Sequence, residues 1–180
     1  MAYFSTRDIA AIALSAALWA VLNWTVTPMF WNLTHLPFLC DTIGVSLLVL
    51  TVWWTRRPGA ATLMGMIATL LNFALRPEAT HFLGFAAASV VFDVGTWAVG
   101  YRNCVGRRLA SYVLLLAISV LSALVAGFII GALFMNPTFL TGMFGGVALF
   151  AALHGAGGFI GGALGVTIVR GLEARRVLPR

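Results

Sequence analysis

Pro28-Met-Phe-Trp-Asn-Leu-Thr-His-Leu-Pro-Phe-Leu-Cys-Asp41 is the longest break between apolar runs on one side of this chain. It is too polar to span a bilayer and too apolar to float free in water, so it reads as a connector at a membrane surface. It carries Trp31, Asn32, His35 and Asp41 between Pro28 and Pro37. Aromatic surface beside a few polar groups suits the capture of a small, partly aromatic solute. The competing reading makes Trp31 and Phe30 interfacial anchors, with the prolines shaping a plain connector.

The chain on either side of this stretch is overwhelmingly apolar. Its mean hydropathy is +1.00, and charged residues make up 9% of its 180 positions. A soluble domain carries about 25%, so a soluble fold is excluded. Runs long enough to cross roughly 30 Å of hydrocarbon recur along the whole length. No alternation of period two announces a transmembrane β-barrel. The sequence therefore predicts an all-α polytopic membrane protein forming a single domain over residues 1–180. Six transmembrane helices are expected at about 8–27, 42–55, 58–75, 80–100, 109–135 and 143–169. The first run has no small-residue cleavage site followed by a polar mature region, and is read as a retained helix.

The formal net charge of +6 is arranged for membrane topology, not for nucleic acid, and all 11 basic residues are arginines. Arg7, Arg56, Arg57, Arg102, Arg107, Arg108, Arg170, Arg175, Arg176 and Arg180 fall on one side of the six-span arrangement; only Arg76 falls on the other. That asymmetry predicts a multi-pass protein of the plasma membrane with both termini cytoplasmic. Cys40 and Cys104 then lie on opposite sides of the bilayer and cannot pair.

Wound as a helix, the first segment has two faces. Ala10, Ala13, Ala17, Ala20 and Trp24 cluster on one, and Ser15, Trp19 and Asn23 lie on another. A small-residue stripe permits close helix approach, either to a neighbour in the same chain or to a partner protein. Asn23 is expected to face the bundle interior. Pro58 of the turn Arg56-Arg57-Pro58-Gly59 can begin the next helix, in which Thr69 and Asn72 share a face. Arg76 and Glu78 in the following connector are expected to pair with each other. Ser89, Asp93 and Trp97 recur at four-residue spacing in the fourth segment, with Asp93 about 18 Å from its start. A carboxylate inside a membrane is costly and is a functional-site candidate. Pairing with His154 and hydrogen bonding to neighbouring Ser and Thr remain open for it. Ser119 and Ser122 are expected to bond back to their own helix. Gly157/Gly161 and Gly158/Gly162 give the last segment the spacing of close backbone packing, with His154 near mid-membrane.

Several chemistries are missing. Without a lysine there is no phosphate-binding loop of the Walker type, and no GxSxG, HExxH, CxxC or paired-carboxylate motif appears. No enzyme activity and no cofactor are predicted. His35 and His81 are expected on the outer side and His154 deep, so the three do not converge on a metal. No internal repeat stands out, which weighs against a small inverted-repeat carrier.

Three stretches carry a resemblance: Ser5-Thr-Arg-Asp-Ile-Ala-Ala-Ile-Ala-Leu-Ser-Ala-Ala-Leu-Trp-Ala-Val-Leu22, Arg57-Pro-Gly-Ala-Ala61 and Leu83-Gly-Phe-Ala-Ala-Ala-Ser-Val-Val-Phe-Asp93. With six helices, these resemble the S components of energy-coupling factor (ECF) transporters, the substrate-binding membrane subunits for vitamins and related micronutrients. The arginine-proline-glycine turn and the acid in the fourth segment look most like the branch linked to thiamine or its hydroxymethylpyrimidine precursor. An acid that this branch carries around Asn72 is absent here. The resemblance implies capture of a solute from outside, with the first outer loop as a lid. It also implies a coupling transmembrane protein and two ATPase subunits, with Ala13 and Ala17 matching the motif that meets the coupling protein.

These observations together predict a binding subunit whose outer half forms a pocket for a small vitamin or precursor. Its lining would come from among Asn23, Trp31, His35, Asp41, Asn72, His81, Asp93, Trp97 and His154. Trp31 or Trp97 would stack on a heteroaromatic ring, and Asp93 would accept a hydrogen bond or meet a cationic ring nitrogen. Two alternatives stand beside this: a carrier or channel with Asp93 and His154 as a proton relay, and a structural subunit whose small-residue stripes only pack.

Overall fold

The computed structural model describes residues 3–106, 108–177 and 179; of the arginines counted above, Arg107 and Arg180 lie outside the described residues. All regular structure among the described residues is helical. The order is α1 (Thr6–Thr34), α2 (Phe38–Thr55), α3 (Ala60–Leu75), a 3₁₀ turn (Thr80–Phe82) running into α4 (Leu83–Val99), and the short α5 (Tyr101–Cys104). Then follow α6 (Leu109–Ile129), which ends in a π turn (Ile130–Phe134), α7 (Pro137–Phe144) and α8 (Val147–Ala174). Five segments are long and apolar enough to cross a membrane: α1, α2, Thr80–Val99, Leu109–Phe134 and α8. This is the pattern of a multi-pass membrane protein. The remaining expected span, α3, has 16 residues, or about 24 Å at 1.5 Å per residue.

Short connections make successive long helices antiparallel, which gives the bundle two ends. One end gathers the α2–α3 and α4–α6 connections and the close of α8, and carries all the described arginines except Arg76. The other gathers the α1–α2, α3–α4 and α6–α8 connections.

The connector expected over Pro28–Asp41 is almost entirely helix. Helix α1 continues through Pro28 to Thr34, and α2 begins at Phe38. Pro28 removes one N–H donor, yet membrane helices tolerate this because neighbouring groups re-satisfy the freed backbone. The turn is made instead by His35, left-handed at φ 53°, whose N–H bonds Trp31 O. Two other boundaries also differ from expectation. Pro58 precedes α3 instead of opening it, since Gly59, at φ 88°, is the cap. The last apolar segment is broken at Gly145 and Gly146, with φ 75° and 113°, so that Phe144 closes α7 and α8 starts at Val147.

The helix starts follow ordinary capping chemistry. Ser5 and Asp8 form a reciprocal capping box at α1, with bonds of 2.9 and 3.2 Å. Asn136 accepts from the N–H groups of Thr138 and Phe139 at α7, with Pro137 at the first helical position. Helix α8 is held by its glycines. A Cβ on Gly161 would lie 2.6 Å from Thr42 O of α2, and one on Gly158 would lie 2.5 Å from Ala123 Cβ of α6. The expected small-residue packing is thus two-sided, with Gly157, Gly161 and Gly165 facing α2 and Gly158 and Gly162 facing α6. Ser119 and Ser122 bond back to Leu115 O and Ile118 O.

At the arginine-rich end, Arg170 of α8 donates to Tyr112 Oη at 3.0 Å and Glu173 Oε2 at 2.7 Å, and also to Gly106 O. Trp53 Nε1 donates to Glu173 Oε1 at 3.2 Å. These bonds tie α8 to α6, α2 and the turn before α6.

Candidate functional site

Helix α1 buries Ile12, Ala16, Trp19, Ala20 and Asn23 against the bundle, while Ala10, Ala13 and Ala17 stay exposed. Among the described residues no helix covers that small-residue stripe. The buried face continues past Pro28 at four-residue steps, Trp19, Asn23, Thr27 and Trp31, because the helix does. All four line a cavity of about 390 Å³ at the end away from the arginine clusters. Such a volume lies at the small end of the range for organic ligand sites.

The opposite walls come from α2, α4, α6 and α8. Trp19 stacks on Phe85, with ring centroids 4.1 Å apart and planes at 10°, and meets Phe82 edge-on at 5.5 Å. This aromatic pair can sit so close to α2 because position 44 is glycine: a Cβ there would lie 2.5 Å from Phe85 Cε2. Phe150 of α8 packs edge-on to the His154 ring at 4.7 Å.

His154 and Asp41 meet across α8 and α2, with Nδ1 2.6 Å from Oδ2 and both side chains at most 5% exposed. The contact is close, yet neither atom makes a hydrogen bond of ordinary geometry. Glycines give the pair its room: a Cβ on Gly127 of α6 would lie 2.7 Å from His154 Cβ, and one on Gly157 3.0 Å from Asp41 Cβ. Asp41 stands in the first turn of α2, where a carboxylate is favoured by the helix N-terminus.

Among the described residues, six buried polar atoms on this lining have no hydrogen-bond partner in the protein: Asn23 Oδ1 and Nδ2, Thr27 Oγ1, Asp41 Oδ2, and Nδ1 and Nε2 of His154. Each such atom costs on the order of 1–3 kcal/mol if left unsatisfied. Their convergence on one cavity marks a place built to receive polar groups. Cys40 adds a thiol: its Sγ, an Asp41 oxygen and a His154 nitrogen lie within 4.8 Å of one another. That donor set suits a transition-metal ion, although Asp41 and His154 already occupy each other.

Of the residues nominated from sequence, Asn23, Trp31, Asp41, His81 and His154 line this cavity. The other four lie elsewhere. His35 lines a separate shallow groove with Met143 and Phe144. Asn72 is fully buried and donates to Ala68 O at 3.0 Å. Trp97 is 59% exposed on the outside of the bundle. Steps of four residues advance about 400°, so Trp97 has rotated about 80° from buried Ser89. Asp93 Oδ2 accepts from the Thr62 N–H at 3.0 Å and so caps the start of α3, where Gly59 supplies no side chain. The candidate Asp93–His154 pair is absent because Asp41 holds the histidine.

Sequence reasoning missed Trp19, Thr27, Phe85 and Arg76 as lining residues. The four-residue ladder from Trp19 to Trp31 was available as a signal once α1 was carried through Pro28. Arg76, expected to pair with Glu78, has Nε 4.0 Å from Glu78 Oε1, a loose contact in which the Glu78 side chain is 77% exposed. No known protein family, no curated protein and no solved structure matches the chain.

Proposed function

We propose that this protein is the solute-binding membrane subunit of an ECF-type importer for a small vitamin or related micronutrient. Its two remaining features of topology, a sixth span formed by α3 and cytoplasmic termini, follow from the arginine asymmetry. In that orientation the cavity faces the outside. Aromatic walls would hold a flat ring, and the polar atoms of Asn23, Thr27 and His154 would bond its edge. The single observation that carries this reading is the set of six buried polar atoms without a hydrogen-bond partner on an aromatic cavity. The chain has no nucleotide motif, so a coupling transmembrane protein and two ATPase subunits would supply the energy. The exposed Ala13 and Ala17 of α1 are where the coupling protein would dock. Thiamine and its hydroxymethylpyrimidine precursor, which the resemblance suggests, belong in the panel of solutes to test.

The test is native mass spectrometry of the detergent-purified protein, followed by thermal-shift titration with a vitamin and precursor panel. A retained small molecule that raises the melting temperature is expected. No retained molecule and no shift across the panel would sink the proposal. A second reading, a proton-coupled carrier, is favoured by one observation, the buried Asp41–His154 pair. Proteoliposomes separate the two: uptake driven by a pH gradient without any ATPase would establish the carrier.

A further inference from the structure

We infer that the solute is a flat aromatic acid, held by its carboxylate on Arg76 and by its ring edge on Asn23 and His154. This rests on the solute-binding reading above and narrows it to one charge class. The cavity's charges decide the matter. Its lining contains one carboxylate, Asp41, and that group is taken by His154 at 2.6 Å. Asp93, the other carboxylate of the transmembrane region, caps α3 and does not line the cavity. A cationic solute would therefore find no free anion there.

The lining does contain a cation. Arg76 contributes to it, and its nearest carboxylate, Glu78, sits at 4.0 Å with its own side chain 77% exposed to solvent. A contact that long and that wet holds a guanidinium weakly. A solute carboxylate entering the cavity would offer the planar two-point geometry that a guanidinium matches best. With Arg76 the one arginine among the described lining residues, the site suits a monoanion better than a phosphate dianion.

The deep polar groups describe the other end of the solute. His154 Nε2 has no protein partner and can meet a polar atom on the edge of the solute. The Asn23 amide on the same lining offers both a donor and an acceptor. A ring edge with an N–H donor and an adjacent acceptor, such as a lactam or an aminoazine, satisfies both residues. Trp19, Phe82 and Phe150 supply the apolar walls between the two polar ends.

The experiment uses the full chain in nanodiscs. Two matched probe sets are titrated by thermal shift: pyridine-3-carboxylate, its carboxamide and its aminomethyl analogue, and the same three substituents on quinoxaline. Any solute found by native mass spectrometry joins the probes. Arg76→Gln and Glu78→Gln are measured alongside the natural chain. In any set that binds, the carboxylate is expected to bind at least tenfold more tightly than the amide. Arg76→Gln erases that preference, while Glu78→Gln preserves or increases it by removing the competing anion. Arg76 is part-exposed, and its backbone N–H bond to Asn72 O does not depend on its side chain, so Arg76→Gln retains the fold. An amine or amide that binds as tightly as the acid overturns the inference, as does a carboxylate preference surviving Arg76→Gln. Retention of a solute with no anionic group also overturns it, yet leaves the solute-binding reading standing. No retained solute and no shift from any probe overturn both.

Discussion

A single buried contact, Asp41 with His154, joins the two ends of the sequence at the cavity. Removing one partner of this buried acid–histidine pair leaves the other uncompensated, at a cost of about 3 kcal/mol. Asp41→Ala and His154→Ala should each lower the melting temperature markedly. The double variant should fall short of their sum, which a double-mutant cycle on purified protein will measure; strict additivity would mean that the pair is not formed. Asp93 behaves differently because its partner is a backbone N–H at the start of α3. Asp93→Ala should cost about 1 kcal/mol, as the loss of a helix cap does, and leave solute affinity unchanged. A fall in affinity at normal stability would return Asp93 to the binding site. The sequence marks Asp93 as exceptional, since a carboxylate within a membrane span is rare, and puts Asp41 in the outer connector. It does not say which acid meets the histidine, because that depends on the rotation of α2 and α4 about their axes. Rotation is fixed here by Gly127, Gly157 and the aromatic stack over Gly44, contacts between elements far apart in sequence.

Two helices carry most of what positions the site. Helix α8 approaches its neighbours so closely that its glycines are not interchangeable. Gly161→Ala would press a methyl group against Thr42 O, with Asp41 O at 3.0 Å, and should destabilise the protein by about 2 kcal/mol through overpacking. Gly171, in the same helix, has nothing within 4 Å of its would-be Cβ. Gly171→Ala should instead stabilise by about 0.5–1 kcal/mol by limiting the freedom of the unfolded chain. Thermal melts of the two variants should therefore move in opposite directions. The glycine pattern was legible in the sequence because small-residue spacing is a one-dimensional signal. Helix α1 was only half legible. Its alanine and Trp19–Asn23 faces can be read, but the sequence ends the helix near Pro28, since proline interrupts the helix ladder in water. A helix in lipid has stronger reason to keep its remaining hydrogen bonds, so α1 runs on and brings Trp31 to the cavity.

At the scale of the whole molecule, the decisive asymmetry is that arginines crowd one end and the cavity occupies the other. If the arginine-rich end is cytoplasmic, then Glu78, whose side chain is 77% exposed, lies outside the cell, and Arg56, an exposed turn residue, lies inside. Single-cysteine variants test this in intact cells with a membrane-impermeant maleimide. The native thiols must be silent first. Cys40 lines the cavity and is replaced by serine. Cys104 can stay, because it is 2% exposed and burial pushes its thiol up to about 11. At pH 8 that leaves on the order of one thiol in a thousand as the reactive thiolate. Glu78→Cys should then label in intact cells, and Arg56→Cys only after the membrane is permeabilised. The reverse pattern would point the cavity at the cytoplasm and exclude capture of an external solute. Labelling of both positions from outside would mean that α3, with its 16 residues, does not cross the membrane. That outcome would reduce the protein to five spans and place its termini on opposite sides.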